Sequence, residues 1–169
     1  MKPLVSIIMG STSDWPIMKK AAVFFEEMEI PFEVNALSAH RTPEEVEKFA
    51  KNADKNGIKV IIAGAGMAAH LPGVVAAMTP IPVIGVPIKA SLDGLDSLLA
   101  IVQMPPGIPV ATVAINGALN AGILCAQMIA TGDSSIFTKT VEYKENLKTT
   151  GYCLPFDSFP IQGMHKLSL

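Results

Sequence analysis

The sequence is poor in cysteine, in aromatic residues and in charge. Its two cysteines, Cys125 and Cys153, lie far apart and form neither a CxxC pair nor a metal-binding spacing. We therefore expect reduced thiols in a cytoplasmic protein, with Cys125 in the core because it lies in an apolar helical pattern. Lysine plus arginine number 13 and aspartate plus glutamate 15, which gives a formal net charge of −2. No basic surplus favours nucleic-acid binding.

Long apolar runs are also missing. Every long candidate is interrupted by Gly or Pro before the roughly 18 residues that a membrane-spanning helix needs. The short apolar run at the N-terminus is followed by Asp14 without a small-residue cleavage pattern, which favours a first strand over a signal peptide. Half of the residues are hydrophobic and 17% are charged. This predicts a single domain over residues 1–169, with residues 150–169 as a tail lying over its surface.

Short apolar runs alternate with helical patterns along the chain. Runs rich in β-branched residues predict five strands, over residues 4–9, 32–37, 58–63, 82–86 and 109–115. Helical periodicity predicts helices over residues 18–28, 43–56, 74–78, 92–102, 116–130 and 134–148. Nearly all-apolar strands that alternate with helices predict a parallel α/β sheet covered on both faces.

Two of these helices carry predicted N-terminal caps. Thr42, followed by Pro43 at the first helical position and by Glu45, predicts a capping box. Asn116 is predicted to cap the helix that runs to about Ala130. That helix is apolar almost all round, so we expect it to pack at a subunit interface.

Polar loops follow the first three predicted strands, at the edge where ligands bind in such sheets. In the first loop, residues 10–14, backbone N–H groups and hydroxyls at a helix start suit a phosphate. Asp14 suits a ribose diol, because a carboxylate accepts two hydrogen bonds. Taken alone, this loop is equally consistent with ordinary helix capping by Ser13 or Asp14.

The second loop places His40 and Arg41 directly after a strand. Histidine titrates near neutral pH, and arginine grips phosphate through two parallel hydrogen bonds. The alternative is that Arg41 pairs with an acidic neighbour and His40 is a surface residue. Their position after a strand end favours a site.

The third loop, over residues 64–73, begins with a match to GxGxxA. A lone match is weak, and no Asp or Glu ends the next strand to hold a ribose, so the sequence argues against NAD. Small residues here are better interpreted as letting the backbone approach a flat ligand beside His70. By itself, His70 is as consistent with a structural histidine as with a catalytic one.

Several reaction classes lack their residues in this sequence. There is no Walker loop and no GxSxG elbow, and the histidines lack the spacing and the companions of a zinc site. What remains is proton transfer by one or two histidines on a bound phosphate ester, without a metal or redox cofactor.

The three loops together resemble the signature of the PurE family, the N5-carboxyaminoimidazole ribonucleotide mutases of purine biosynthesis. Residues 94–98 and 103–110 resemble the family too, and the match covers residues 4–130. The resemblance implies a three-layer α/β/α fold of flavodoxin-like type with a central five-stranded parallel sheet, assembled as a homo-octamer. It also implies reversible conversion of N5-carboxyaminoimidazole ribonucleotide into 4-carboxy-5-aminoimidazole ribonucleotide in IMP biosynthesis, without a cofactor.

The resemblance further assigns roles to residues of the three loops. His40 matches the family's general acid and base. The matched ligand contacts are Ser11, Ser38 and Arg41 for the phosphate, Asp14 for the ribose, and Ser13, Ala65, Gly66, His70 and Leu71 around the imidazole and the migrating carboxylate.

A related branch of the family carboxylates aminoimidazole ribonucleotide directly with carbon dioxide. In that branch Lys typically follows the histidine and the Ala-Ala-His-Leu-Pro stretch is absent, so His40-Arg41 and residues 68–72 favour the mutase. A non-catalytic module that holds a ribose phosphate is the other alternative. Met67 departs from the family pattern, because many relatives have Gly there.

Overall fold

The structure, a computed structural model, describes residues 2–149 and consists of a parallel sheet between two layers of helices. The predicted tail over residues 150–169 lies outside the described residues. The strands are β1 (Val5–Met9), β2 (Phe32–Ala36), β3 (Val60–Gly66), β4 (Val83–Ile88) and β5 (Ala111–Thr112). The helices are α1 (Trp15–Glu27), α2 (Pro43–Asn52), α3 (Leu71–Met78), α4 (Leu95–Val102), α5 (Ala118–Ala130) and α6 (Ser134–Thr149), with 3-10 turns at Thr12–Asp14 and Leu92–Gly94.

The sheet has the strand order β2-β1-β3-β4-β5, and all its pairings are parallel. Ile7 of β1 lies between Val34 of β2 and Ile62 of β3. The chain forms β2 on one side of β1 and then crosses over to form β3 on the other side. A crevice therefore opens beyond the carboxyl ends of β1 and β3, where ligands bind in this class of fold. The order is that of flavodoxin-like proteins, which confirms the predicted fold class.

Alternate side chains of the strands enter two separate cores. Ile7 and Ile62 face the layer of α1 and α5, and α6 packs outside these two helices. Ile8 and Ile61 face the layer of α2, α3 and α4. Burial on both faces explains why β1, β3 and β4 read as continuous apolar runs rather than as alternating ones.

The apolar residues at helical spacing over residues 18–28 form the buried face of α1 and of its C-terminal cap. Its members are all buried against the sheet and α5: Met18, Ala21, Ala22, Phe25 and Met28. Phe24 adds an edge-on contact with Tyr143, at 5.2 Å between ring centroids, which fastens α6 to α1.

The predicted capping box at α2 is wrong. Thr42 does stand at the N-cap position, but its side chain makes no capping hydrogen bond. Instead, Thr42 Oγ1 accepts a hydrogen bond from Ser38 N at 3.0 Å and donates one to Ser38 O at 3.1 Å. Thr42 therefore stabilises the loop between β2 and α2, because the hydroxyl turns back toward Ser38 rather than forward to the helix.

The predicted cap of α5 is wrong as well. The N-cap is Gly117, and Asn116 takes a positive φ of 59° one residue earlier. Asn116 Oδ1 accepts a hydrogen bond from Lys89 N at 2.9 Å, and Asn116 N donates to Pro87 O at 2.8 Å. Asn116 thus joins the loop between β5 and α5 to the end of β4 and the loop after it, a long-range role that a local capping pattern does not reveal.

Packing within the chain explains in large part why α5 is apolar on almost all of its sides. Ala121, Cys125 and Ala126 are fully buried in the core with α1. A Cβ on Gly122 would lie 3.1 Å from Phe24, so the two helices approach closely. Cys125 is a core residue as predicted, and burial raises the pKa of its thiol far above the usual range.

Leucine and valine side chains at helical spacing over residues 92–102 form a stripe that is largely exposed. Ile101 and Ser97 are the fully buried residues of α4, and the Ser97 hydroxyl donates a hydrogen bond to a backbone carbonyl. Four members of the stripe are 46–76% exposed and form what we call the α4 patch: Leu92, Leu95, Leu99 and Val102. Among residues 2–149, no helix is both long and apolar enough to cross a bilayer.

Candidate active site

A pocket of about 520 Å³ opens beyond the carboxyl ends of the first three strands, at the crevice described above. Every site residue predicted from the sequence lines it, and the three polar loops meet there as the parallel sheet requires. The strand β3 runs on to Gly66 and α3 begins at Leu71, so the third loop is only residues 67–70. Met67 and Ala90 line the pocket too, although sequence reasoning assigned neither of them a contact.

The first loop is organised by Ser11 rather than by Ser13 or Asp14. Ser11 Oγ accepts hydrogen bonds from Ser13 N at 3.2 Å and from Ser13 Oγ at 2.8 Å, and so caps the 3-10 turn. Asp14 stands at the N-cap of α1 without a side-chain capping bond. Its carboxylate is therefore not used by the helix and stays available to a ligand.

Asp14 is also partly removed from water. Burial raises the pKa of the Asp14 carboxyl, and hydrogen bonds from the Ser11 backbone and the Ser13 side chain act in the opposite direction. The net effect is a raised pKa, because the loss of hydration, which disfavours the charged form, is the largest of these effects. A ligand hydroxyl that donates to this carboxylate would replace part of the lost hydration.

Arg41 folds back over the first loop. Its Nη2 donates to Gly10 O at 3.1 Å, and its Nε lies 3.4 Å from Ser38 Oγ, which also accepts from the Arg41 backbone N–H at 3.3 Å. Within residues 2–149, no carboxylate lies within ion-pair distance of Arg41. The guanidinium thus brings an uncompensated positive charge to the pocket, where it suits an anionic group.

His40 and His70 meet directly across the pocket. His40 Nε2 lies 2.8 Å from His70 Nδ1, and the two rings are nearly perpendicular with their centroids 4.9 Å apart. At that distance one nitrogen donates and the other accepts, so the contact holds one proton between the rings. A sequence separation of 30 residues gives no sign of this pairing. It arises because the two loops follow the carboxyl ends of β2 and β3, the strands on either side of β1.

The end of β3 brings backbone close to the pocket. A Cβ on Gly66 would lie 3.2 Å from Ile88 O and 3.3 Å from the Ala90 side chain, so β3 and the segment after β4 press together. Gly64 is small for a different reason, because a Cβ there would overlap the Met18 side chain of α1. Of the two glycines in the GxGxxA match, only Gly66 lines the pocket.

The first turn of α3 adds backbone donors to the same wall. His70 is its N-cap residue and makes no side-chain capping bond. The Leu71 N–H lacks an intrahelical partner, and helix N-termini carry positive potential that favours carboxylates and phosphates. In the described part of the chain, no cluster of three His, Cys, Asp or Glu side chains could hold a metal ion.

Fold and site together define a flavodoxin-like α/β protein with a histidine pair, and with groups that suit an anion, at the point where its strand order reverses. The chain belongs to the AIR carboxylase family, whose model matches residues 4–150. This confirms the family resemblance predicted from the three loops.

Relatives of known name cover most of the chain. It is 60% identical over 147 residues to the N5-carboxyaminoimidazole ribonucleotide mutase of Thermotoga maritima, with 86% of each protein covered. It is 55% identical over 153 residues to the mutase of Bacillus subtilis, covering 89% of this chain and 94% of the relative. The phosphoribosylaminoimidazole carboxylase of Saccharomyces cerevisiae is 54% identical over 164 residues, but the chain spans only 29% of its length.

Solved structures agree with the fold. Treponema denticola PurE superposes with a TM-score of 0.79 at 30% sequence identity, covering 87% of this chain and 92% of that one.

Proposed function

We propose that this chain is an N5-carboxyaminoimidazole ribonucleotide mutase, a single-domain isomerase of purine biosynthesis. It interconverts N5-carboxyaminoimidazole ribonucleotide and 4-carboxy-5-aminoimidazole ribonucleotide. The observation that carries the proposal is the identity of 54–60% with mutases so named, over most of both chains. The pocket supports it, because it joins a histidine pair to groups that suit a phosphorylated ligand.

The ligand's phosphate is proposed to bind at Arg41, Ser11 and Ser38. Arg41 supports this position because its charge has no carboxylate partner among the described residues. Asp14 would accept hydrogen bonds from the ribose hydroxyls, since its carboxylate is not used to cap α1. Phosphate and ribose would then be held by the first two loops.

The aminoimidazole ring would lie against the third loop and the histidine pair. Ser13 and the backbone at Ala65 and Gly66 would border the ring, with His70 and Leu71 near the migrating carboxylate. The backbone N–H of Leu71, which has no partner within α3, suits that carboxylate.

His40 is proposed to carry the proton. In the forward direction it would protonate the carbamate nitrogen, so that the C–N bond breaks with its electron pair left on nitrogen and carbon dioxide is released. The ring carbon would then attack the trapped carbon dioxide, and His40 would take back the proton which that carbon loses. Holding both fragments in one pocket makes their recombination effectively intramolecular.

The direct carboxylation of aminoimidazole ribonucleotide is the second candidate. Yeast relatives at 54–60% identity are named phosphoribosylaminoimidazole carboxylase, although the chain spans only 25–29% of their length. The same pocket could accept the same ribonucleotide, so the two activities must be separated by substrate.

The deciding experiment incubates the purified protein with each ribonucleotide, without ATP, and follows absorbance of the carboxylated product. The mutase should interconvert the two carboxylated ribonucleotides without added bicarbonate. His40→Asn should lower this rate about 100- to 10,000-fold while the ligand still binds. Turnover of aminoimidazole ribonucleotide with bicarbonate alone would establish the carboxylase, and binding without any turnover would establish a non-catalytic module.

The proposal includes a homo-octamer in the cytoplasm. The free, buried thiol of Cys125 supports a reducing compartment. The α4 patch supports an assembly, because so many exposed leucine and valine side chains on one helix face suit a protein partner.

A further inference from the structure

Met67 combines two unfavourable features at the mouth of the pocket. Its backbone lies in the left-handed region, at φ 55°, which is costly for a residue with a side chain. Its long apolar side chain is 59% exposed to solvent. Such strain is typical of functional sites, where the surrounding structure enforces it.

The left-handed backbone is required by the turn between β3 and α3. β3 stays paired with β4 as far as Gly66, opposite Ile88, and there the chain leaves the sheet. It reverses within residues 67–70, where Ala69 N donates to Met67 O at 2.9 Å. A glycine at position 67 would make this turn without strain, so the backbone alone does not explain a methionine there.

The wall of the pocket around Met67 is built from small residues. Ala65, Gly66, Ala68 and Ala90 line it, and none of them can reach across a ligand. Met67 stands among them with a flexible, polarisable thioether, which makes favourable contacts with aromatic rings. Its side chain can therefore cover a flat ligand whose opposite side rests on the small residues.

We propose that Met67 is a ligand-contact residue whose side chain folds over the heteroaromatic ring of the bound ribonucleotide. The identity of that ring rests on the proposed function. In this arrangement the strained turn holds the side chain over the pocket, and the contact is made equally in the ground state and the transition state.

The test compares Met67→Gly, which removes both strain and side chain, with Met67→Leu, which keeps apolar bulk. Met67→Gly should fold with an unchanged melting temperature or one higher by up to about 4 °C. Its Kd for 4-carboxy-5-aminoimidazole ribonucleotide, measured by calorimetry, should rise about 2- to 10-fold. KM should rise by the same factor with kcat unchanged, as expected for uniform binding. Met67→Leu should bind within about twofold of the parent protein.

Two results would overturn this contact. One is an unchanged Kd in Met67→Gly, and the other is an equal loss of affinity in both variants, since leucine preserves an apolar cover. Both are distinct from failure of the proposed function, which would show in the parent protein as absent interconversion of the two carboxylated ribonucleotides.

Discussion

Asp14 illustrates, at the scale of one residue, how a group proposed to bind a ligand can lower the stability of the fold. Because burial raises the pKa of its carboxyl, the folded state binds the proton more tightly than the unfolded state does. At pH values above the raised pKa, the charged carboxylate therefore lowers the free energy of unfolding. This cost disappears at pH values below 3.8, the usual pKa of the group, because the carboxyl is then protonated in both the folded and the unfolded state. Asp14→Asn removes the charge and keeps the shape.

We accordingly expect Asp14→Asn to melt at the same or a higher temperature than the parent protein at about pH 8. The difference in melting temperature between Asp14→Asn and the parent protein should narrow as the pH falls toward about 4. Affinity for the ribonucleotide should fall about 10- to 100-fold at neutral pH, because a charged hydrogen-bond acceptor is lost. Thermal denaturation across this pH range and calorimetry check the two parts, and a stability difference that widens toward acid pH would contradict the first.

The residues that line the pocket could be predicted from the sequence, but their contacts could not. Polar residues directly after the strands of a parallel sheet must meet at one edge of that sheet, and this rule is enough to bring His40, Arg41 and His70 into one pocket. The bond between the two histidines depends on the shapes of two loops. The left-handed backbone of Met67 is equally invisible, since a methionine does not signal a positive φ.

At the scale of elements, α5 shows why an apolar helix is ambiguous in sequence. Its all-round apolar pattern predicted a subunit interface, yet Ala121 and Ala126 are fully buried within the chain itself. Periodicity reports how much of a helix avoids water, but not whether the partner belongs to the same chain. The outer strand β5 shows a similar limit: the apolar run over residues 109–115 forms only the two paired residues Ala111–Thr112.

The burial of Ala126 leads to a prediction about folding rather than assembly. Ala126→Glu would bury a carboxylate against α1 without a partner, which costs several kcal/mol, roughly the whole stability of a small domain. We expect little folded protein by circular dichroism. Leu119→Glu, on the exposed side of the same helix, should fold like the parent protein. A folded Ala126→Glu variant of reduced size would instead restore α5 as an interface.

At the scale of the whole molecule, the α4 patch is the surface that an assembly best explains. Leu95, Leu99 and Val102 recur at intervals of four and three residues on one helix face, and Leu92 precedes them by one turn. The fully buried residues of α4 are Ile101 and Ser97, so the exposed side chains of the patch contribute little to the isolated subunit. Burying them between symmetric copies would recover the free energy lost by exposing them to water.

Leu95→Glu and Leu99→Glu, made separately, should therefore yield smaller particles by size-exclusion chromatography with light scattering. Each subunit should keep the circular dichroism of the folded chain, because neither side chain belongs to a core cluster. Asn56→Glu, in the exposed turn after α2, introduces the same charge elsewhere and should leave particle size unchanged. If both leucine variants keep the size of the parent protein, the α4 patch lies outside any subunit contact, and the proposed assembly would have to form through another face.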